Sequence, residues 1–351
     1  MNLAHIITAA LCLLSVNNLA QAKINSKHSL LSTGFSPINF VSPENIVHSV
    51  ITKEDAAETI AHFCKALEIY FSKYKWEKDP CGAVAWKASL KTHNGHPLIY
   101  AEFGDGEETT LLLGGVHPDE YTPVPMAFRF ARHLKANPAV YTNKGIKVVI
   151  APLVNPDGFL RNVPTRNNAN GVDPNRNFYT MDWYDDAKDK WRFRRDLRHF
   201  PGYFPNTEME AVFQVTLIDD YHPDKILSIH APLGFLDYDG PGDGRKSLKD
   251  EKEKQAKRLV YSISEKSRNY KVVDFTFYPG SLGNYAGNER HIPTVTLEME
   301  TIQPDKVDEY WQQFLPGMLQ SIKYPFKKKS LHQSDPKENA TKFSTHYHNI
   351  K

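Results

Sequence analysis

Cysteine is scarce in this sequence. There are three in 351 residues, and one of them, Cys12, falls in an apolar leader, leaving Cys64 and Cys81. Two thiols so far from any His-rich motif exclude a structural zinc knuckle. They either pair, as suits an oxidising compartment, or remain two free buried thiols, and their spacing does not decide between these. An excess of one charge is also missing, with 43 Lys and Arg against 41 Asp and Glu. That balance argues neither way on nucleic acid, but no basic stripe with interleaved aromatics occurs, and no nucleic-acid partner is expected. Nor does the leader reach membrane-spanning length. Ile6 to Val16 (IITAALCLLSV) stops at 11 residues, where a transmembrane helix needs about 20. AQA (Ala20 to Ala22) follows as a small-x-small cleavage signature, so residues 1–22 read as an export signal, although its first turn offers only His5 and the amino terminus as basic groups. No cleavage box precedes Cys12, which argues against lipidation. No internal repeat is present.

The composition supports a large core, with 40% apolar and 12% aromatic residues, and its 23 prolines and 19 glycines suit a loop-rich α/β enzyme better than a helical bundle. Helical spacing over Lys53 to Trp76, with Asp55 and Glu58 near its start, predicts a helix in an N-terminal extension spanning 23–84. Asn94-Gly95, between alternating residues of Ala85 to Gly104, is the strongest hairpin signal and opens a catalytic domain expected over 85–325. Buried strands are expected at Thr109 to Gly115, Ile146 to Val154, Lys225 to Ala231 and Thr294 to Glu300. Helices are expected at Pro123 to Ala136, Thr207 to Tyr221 (with Thr207 and Glu210 as a capping box) and about Ser247 to Ser267. Strands without strict alternation, separated by helices, predict an α/β fold: a central mixed, mostly buried sheet flanked by helices on both faces. Residues 326–351, basic and poor in large apolar side chains, read as a mobile tail.

In such sheets ligands bind beyond the carboxyl ends of the strands. GGVHPDE (Gly114 to Glu120) ends one strand and at once presents His117 and Glu120. His-x-x-Glu alone does not separate a metal site from a polar loop. SIHA (Ser228 to Ala231) ends another strand with His230, and a catalytic zinc takes three such ligands and keeps one position open. Asn155 to Phe178 packs Arg161, Arg166 and Arg176 into a stretch rich in Asn, Gly and Pro. Guanidinium groups suit capture of a carboxylate and of a developing oxyanion, or they simply neutralise Asp157 and Asp173. Glu298 and Glu300 lie in an otherwise apolar strand, where an unpaired carboxylate is costly and therefore usually has a partner or a task.

HPDE, NPDG, RNNANGVDPNRNF, SIHA and TLEM, in this order, resemble the zinc metallocarboxypeptidases of the carboxypeptidase A type over about Pro97 to Tyr324. The handful of motifs is specific as a set. The resemblance implies one Zn2+ per chain held by His117, Glu120 and His230. It implies that Arg166 polarises the scissile carbonyl, that Asn175 and Arg176 grip the terminal carboxylate, and that Glu298 is the catalytic acid–base group. Tyr278 and Tyr285 lie in the region of the family's mobile active-site tyrosine. Leu282 stands where members that prefer basic residues carry an acid, which argues against a simple Lys/Arg carboxypeptidase. The short Arg166-to-Arg176 spacing and HAPLG are similar to the compact murein peptide amidases of that family. That likeness implies cleavage between γ-D-glutamate and meso-diaminopimelate in peptidoglycan stem peptides. Asp237 or Asp239, in the loop after His230, would then meet the diaminopimelate ammonium; the alternative is a loop aspartate bonding its own backbone. With the leader, the expected protein is an exported monomer, periplasmic or wall-associated, without a stable membrane anchor once the signal is cleaved. The alternatives are a general exported carboxypeptidase on L-peptides and a zinc deacylase of the aspartoacylase or succinylglutamate desuccinylase kind.

Overall fold

The computed structural model describes residues 50–194, 196–242 and 251–326. The export signal, the basic tail beyond residue 326, most of the extension before the first helix, and the start of the helix expected at Ser247 lie outside the described residues.

Eight strands form one mixed sheet in the order β1-β2-β4-β3-β5-β8-β6-β7. Its centre is four parallel neighbours: β4 (Ile146–Ala151), β3 (Glu108–Leu113), β5 (Lys225–His230) and β8 (Thr294–Glu298). The expected hairpin, β1 (Lys87–Lys91) with β2 (Pro97–Phe103), extends one side antiparallel. On the other side, β6 (Phe235–Tyr238) runs antiparallel to β8 and parallel to β7 (Val272–Val273). Hence Asp237 sits on a strand rather than in the loop expected from the sequence.

Side chains on a strand alternate between faces, and both faces here are apolar. Leu112 points into a cluster with Phe130 of α2 (Pro123–Ala136), Leu259 of α6 (Glu251–Lys266) and Phe314 of α7 (Val307–Lys323), an element outside the sequence-based outline. Leu111 and Leu113 point the other way, towards Phe213 and Leu217 of α5 (Met209–Tyr221). The capping box expected for α5 does not form. Glu208 is the N-cap and makes no side-chain cap bond. Thr207 Oγ1 instead donates to the Phe204 carbonyl, and Glu210 accepts Asn168 Nδ2 at 2.9 Å in the interior.

The helix of the N-terminal extension, α1 (Lys53–Lys73), buries Phe63, Leu67 and Phe71 against Ile99, Val124, Phe128 and Leu153, so it shares the core of the domain that follows. Thr52 caps it by accepting the Asp55 N–H. The two cysteines left open by the sequence form a disulfide, Cys64–Cys81, which ties α1 to the chain entering β1. Among the described residues no helix is long and apolar enough to cross a membrane.

Candidate active site

The chain reverses direction across the sheet between β3 and β5, since β3 connects outward to β4 while β5 connects to the other half. Such a switch point opens a crevice at the carboxyl ends of the strands. Here it is a cavity of about 420 Å³. A more open hollow near Ala136 and Lys323 has no acid or imidazole in its lining.

Leaving β3, the chain must turn tightly beneath α2, and this explains the glycine pair. A Cβ on Gly114 would lie 2.6 Å from Ala127 Cβ, and Gly115 has φ +58°. The 3-10 turn Pro118–Glu120 then directs His117 and Glu120 inward, both buried. His230 comes from the end of β5, and donor atoms of the three side chains all lie within 4.8 Å of one another. His117 Nδ1 is 3.0 Å from Glu120 Oε1 and 3.1 Å from His230 Nδ1, which is itself 3.0 Å from Glu120 Oε2.

The opposite ring nitrogens decide what this cluster needs. His117 Nε2 lies 3.0 Å from Asp173 Oδ1 and His230 Nε2 lies 2.9 Å from Ser228 Oγ. Donation from each Nε2–H to these oxygens leaves both Nδ1 atoms as bare lone pairs, facing each other and a carboxylate. Three converging acceptors repel unless a cation sits among them, and two imidazoles with one carboxylate is a zinc donor set. Burial would raise the Glu120 pKa, but His117 and His230 outweigh it and hold the carboxyl below its ordinary range. The donor set therefore fits the Zn2+ expected from the sequence.

Asp173, in the GVDPNRNF run, is the counter-charge to an arginine that the sequence offered as one alternative, but it is also a hub tied to the metal-type cluster, which sequence reasoning missed. It is fully buried and also accepts Arg166 Nε at 2.8 Å and the Asn175 backbone N–H at 2.9 Å. Burial opposes its charge, but Arg166 and His117 hold it well below the usual carboxylate range. Its partner His117 is 56 residues distant in sequence, so no local pattern announces the contact. Arg166 also reaches Glu120 Oε1 with Nη1 at 3.3 Å and lines the cavity. Arg161 bonds the backbone carbonyls of Asp157, in the single-turn helix α3 (Pro156–Phe159), and of Asn168.

The candidate carboxylate grip is ordered in the same way. Asn175 Oδ1 accepts the Leu282 N–H at 2.7 Å, which turns its amide nitrogen into the role of free donor. Arg176 lies over the Tyr278 ring, 4.5 Å from its centroid. Tyr278 and Leu282 both line the cavity. Tyr285 does not join them. It is 4% exposed and packs between Phe178 and Arg290 in the core, which corrects its expected place at the substrate. Its register in the turn Gly283–Asn288 points it at α5 rather than at the cavity.

Glu298 ends β8 directly opposite His230 in the β5–β8 register and faces the cavity. Burial pushes its carboxyl up to about 7, with His230 opposing and Glu120 adding. Glu300, two residues on, is exposed. Asp237 and Asp239 form the acidic wall. Asp237 Oδ1 accepts the Phe275 N–H at 3.0 Å and Asp239 bonds the Thr296 hydroxyl, so neither serves its own backbone. Burial and the adjacent Asp239 push Asp237 up to about 8. Asp239 is raised by burial too, with the Thr296 bond and His230 opposing. Asn175 and Arg176, the candidate carboxylate grip, and an acidic wall thus flank one metal-type triad.

Known proteins share this plan. The zinc carboxypeptidase family model matches residues 84–316. Murein peptide amidase A of Vibrio campbellii is 29% identical over 218 residues, covering 60% of this chain and 77% of its own. That of Escherichia coli K12 is 29% identical over 230 residues, covering 64% and 85%. Of solved structures, the murein-tripeptide amidase from Escherichia coli O157 superposes with a TM-score of 0.50 at 24% identity, over 72% of this chain and 97% of that one. Carboxypeptidase A from Helicoverpa armigera superposes at 0.56 with 16% identity, over 78% and 72%. These structural likenesses establish the fold.

Proposed function

This chain belongs to the zinc carboxypeptidase family, and on that premise we propose that it trims peptidoglycan stem peptides by cutting the amide between γ-D-glutamate and meso-diaminopimelate. The observation that carries this reading is the acidic wall. A residue released from its carboxyl end needs a carboxylate grip, which Asn175 and Arg176 offer, and diaminopimelate adds an ammonium at its far end. Asp237 and Asp239 line the same cavity and suit that ammonium. The names of the relatives, murein peptide amidases, point the same way.

His117, Glu120 and His230 would hold the zinc, which when bound acts as a Lewis acid and lowers the pKa of water towards about 7. Glu298 takes the proton of the attacking water and delivers it to the departing amine. Arg166, fixed through Nε and Nη1 by Asp173 and Glu120, stabilises negative charge developing on the scissile carbonyl oxygen. Asn175 Nδ2 and Arg176 hold the terminal carboxylate so that only a terminal residue is released, and Tyr278 supports Arg176 from its ring face. Export belongs to the same reading. The leader-like residues 1–22 support it, and so does the Cys64–Cys81 disulfide, a bond that persists in oxidising compartments.

The deciding assay compares L-Ala-γ-D-Glu-meso-diaminopimelate with a hippuryl-type L-peptide, on purified residues 23–351, with and without chelator. Chelator-sensitive release of diaminopimelate with an inert hippuryl peptide is the expected result. The reverse preference would make the protein a general exported carboxypeptidase. If Asp237→Ala and Asp239→Ala each leave kcat/KM on the tripeptide unchanged, the assignment of the acidic wall fails.

A further inference from the structure

The third wall of the cavity has no part in the chemistry above. It comes from α4 (Lys188–Arg194) and the 3-10 turn Leu197–His199. Residues 188 to 198 hold six Lys and Arg against two Asp, and Lys190, Arg194 and Arg198 reach the cavity. Lys190 is paired with Asp186 at 3.0 Å, within its own helical segment. Arg194 lines the cavity with Arg176, whose charge it disfavours behind burial and the other neighbouring charges. Arg198 is placed differently. Its Nη1 pairs with Asp119, the residue immediately before the metal-type ligand Glu120. Its neighbour His199 lines the same cavity as Arg166, the guanidinium assigned to the scissile carbonyl, and is held below its ordinary pKa by burial and then by that charge.

An ordinary α-linked peptide has no free carboxylate at this point, because the acyl-side residue spends its only backbone carboxyl in the scissile bond. A γ-linked glutamate keeps its α-carboxylate, three carbons from the scissile carbonyl. An enzyme for that linkage must accommodate an extra anion beside the metal, on the side away from the released residue. We infer that Arg198 is a specificity-determining residue whose guanidinium, anchored by Asp119 at the metal-ligand turn, receives the α-carboxylate of the γ-linked residue on the acyl side of the scissile bond. The inference rests on the γ-glutamyl reading of the function. Asp119 occupies one edge of the guanidinium, and a planar fork with five donors has further N–H groups to offer a second carboxylate. Arg198 is half exposed, so the effect is smaller than for a fully desolvated pair.

The test compares L-Ala-γ-D-Glu-meso-diaminopimelate with the same tripeptide carrying an amide in place of the glutamate α-carboxylate. The wild-type chain is expected to favour the free acid in kcat/KM by roughly 5- to 30-fold. Arg198→Met should bring that ratio close to one, and Arg198→Lys, which keeps a cation beside Asp119, should give an intermediate ratio, both at wild-type zinc content per chain. The inference is overturned if wild type cuts both tripeptides equally well, or if both variants keep the wild-type ratio. A loss of equal size on the two substrates would also overturn it, leaving Arg198 as a prop for the ligand turn. If wild type cuts neither tripeptide but does cut the hippuryl peptide, the γ-glutamyl reading itself falls, and this inference with it.

Discussion

Asp173→Asn is the most informative single change, because one buried carboxylate touches the metal-type cluster, the arginine and the grip. Its two oxygens take three donors: His117 Nε2 at 3.0 Å, Arg166 Nε at 2.8 Å and the Asn175 N–H at 2.9 Å. An amide has one oxygen, so in one orientation its NH2 faces Arg166 Nε, and in the other it faces His117 Nε2–H and the Asn175 N–H. Either way donors oppose donors in a site without water access. Removing one partner of a buried ion pair costs about 3–5 kcal/mol. Arg166 retains its second contact to Glu120 at 3.3 Å, which favours the lower end. Separately, removing an outer partner of a ligating imidazole weakens metal binding about 10- to 100-fold, which takes about 1.4–2.7 kcal/mol from the stabilisation that zinc confers by mass action. Melting curves of chelated and zinc-loaded protein, with zinc affinity from competition with a chromophoric chelator, separate the two effects. The variant should melt below wild type without metal, and the gap should widen when zinc is added. Unchanged zinc affinity together with an unchanged gap would refute the role assigned to Asp173.

Four further outcomes follow from the structure. Glu298→Gln should lower kcat about 10²- to 10⁴-fold while leaving zinc stoichiometry intact; loss of the metal instead would make Glu298 a ligand. In the wild-type enzyme kcat/KM should rise with pH as Glu298 loses its proton. The apparent pKa should lie below the value of about 7 that burial sets with His230 opposing and Glu120 adding, because a bound cation favours the carboxylate, and a profile flat from pH 5 to 8 would contradict this. Asp237, pushed up to about 8 by burial and Asp239, holds a proton at neutral pH that an incoming ammonium must displace. Binding of the diaminopimelate tripeptide to Glu298→Gln should thus release protons at pH 7, seen as buffer-dependent heats in calorimetry, and Asp237→Asn should abolish the release. Cys64→Ser/Cys81→Ser opens a loop with a sequence separation of 17, worth about 3 kcal/mol in the chain-entropy model. A melting temperature equal to that of the oxidised wild type would show that packing alone holds α1.

Sequence periodicity revealed the parts of the fold whose signal is local. The run at Thr109 to Leu113, the Asn94-Gly95 turn and the amphipathic Pro123–Ala136 helix all appear where the pattern puts them. His117, Glu120 and His230 were legible because they end or closely follow strands that the pattern identifies, His230 closing β5 and the other two coming in the turn after β3. Contacts made at a distance were not legible. Asp173 serves an imidazole on another strand end, and Ser228 supports His230 from within β5. β6 read as loop because four residues bounded by Gly234 and Asp239 hold too little period to count, yet pairing with β8 makes them a strand. Thr207 and Glu210 have the spacing of a cap, but burial beside Asn168 claims Glu210 first. Tyr285 illustrates the same limit: proximity in sequence to the substrate loop says nothing about which way a turn aims a ring.

The pairing of His230 with Glu298 across β5 and β8 has a practical corollary for reshaping this enzyme. The proposed ligand and the proposed proton carrier occupy one rung of a backbone ladder, so their separation is fixed by hydrogen-bonded strands and would survive remodelling of the surrounding loops. The three walls of the cavity hang from other pieces: β6 with Phe275, the turn holding Tyr278 and Leu282, and the segment from α4 to His199. Reaction and selectivity are therefore carried on separate chassis. Libraries confined to those walls should yield catalysts with new preferences, whereas a change that slips β8 by a single residue would turn Glu298 to the far side of the sheet and leave none.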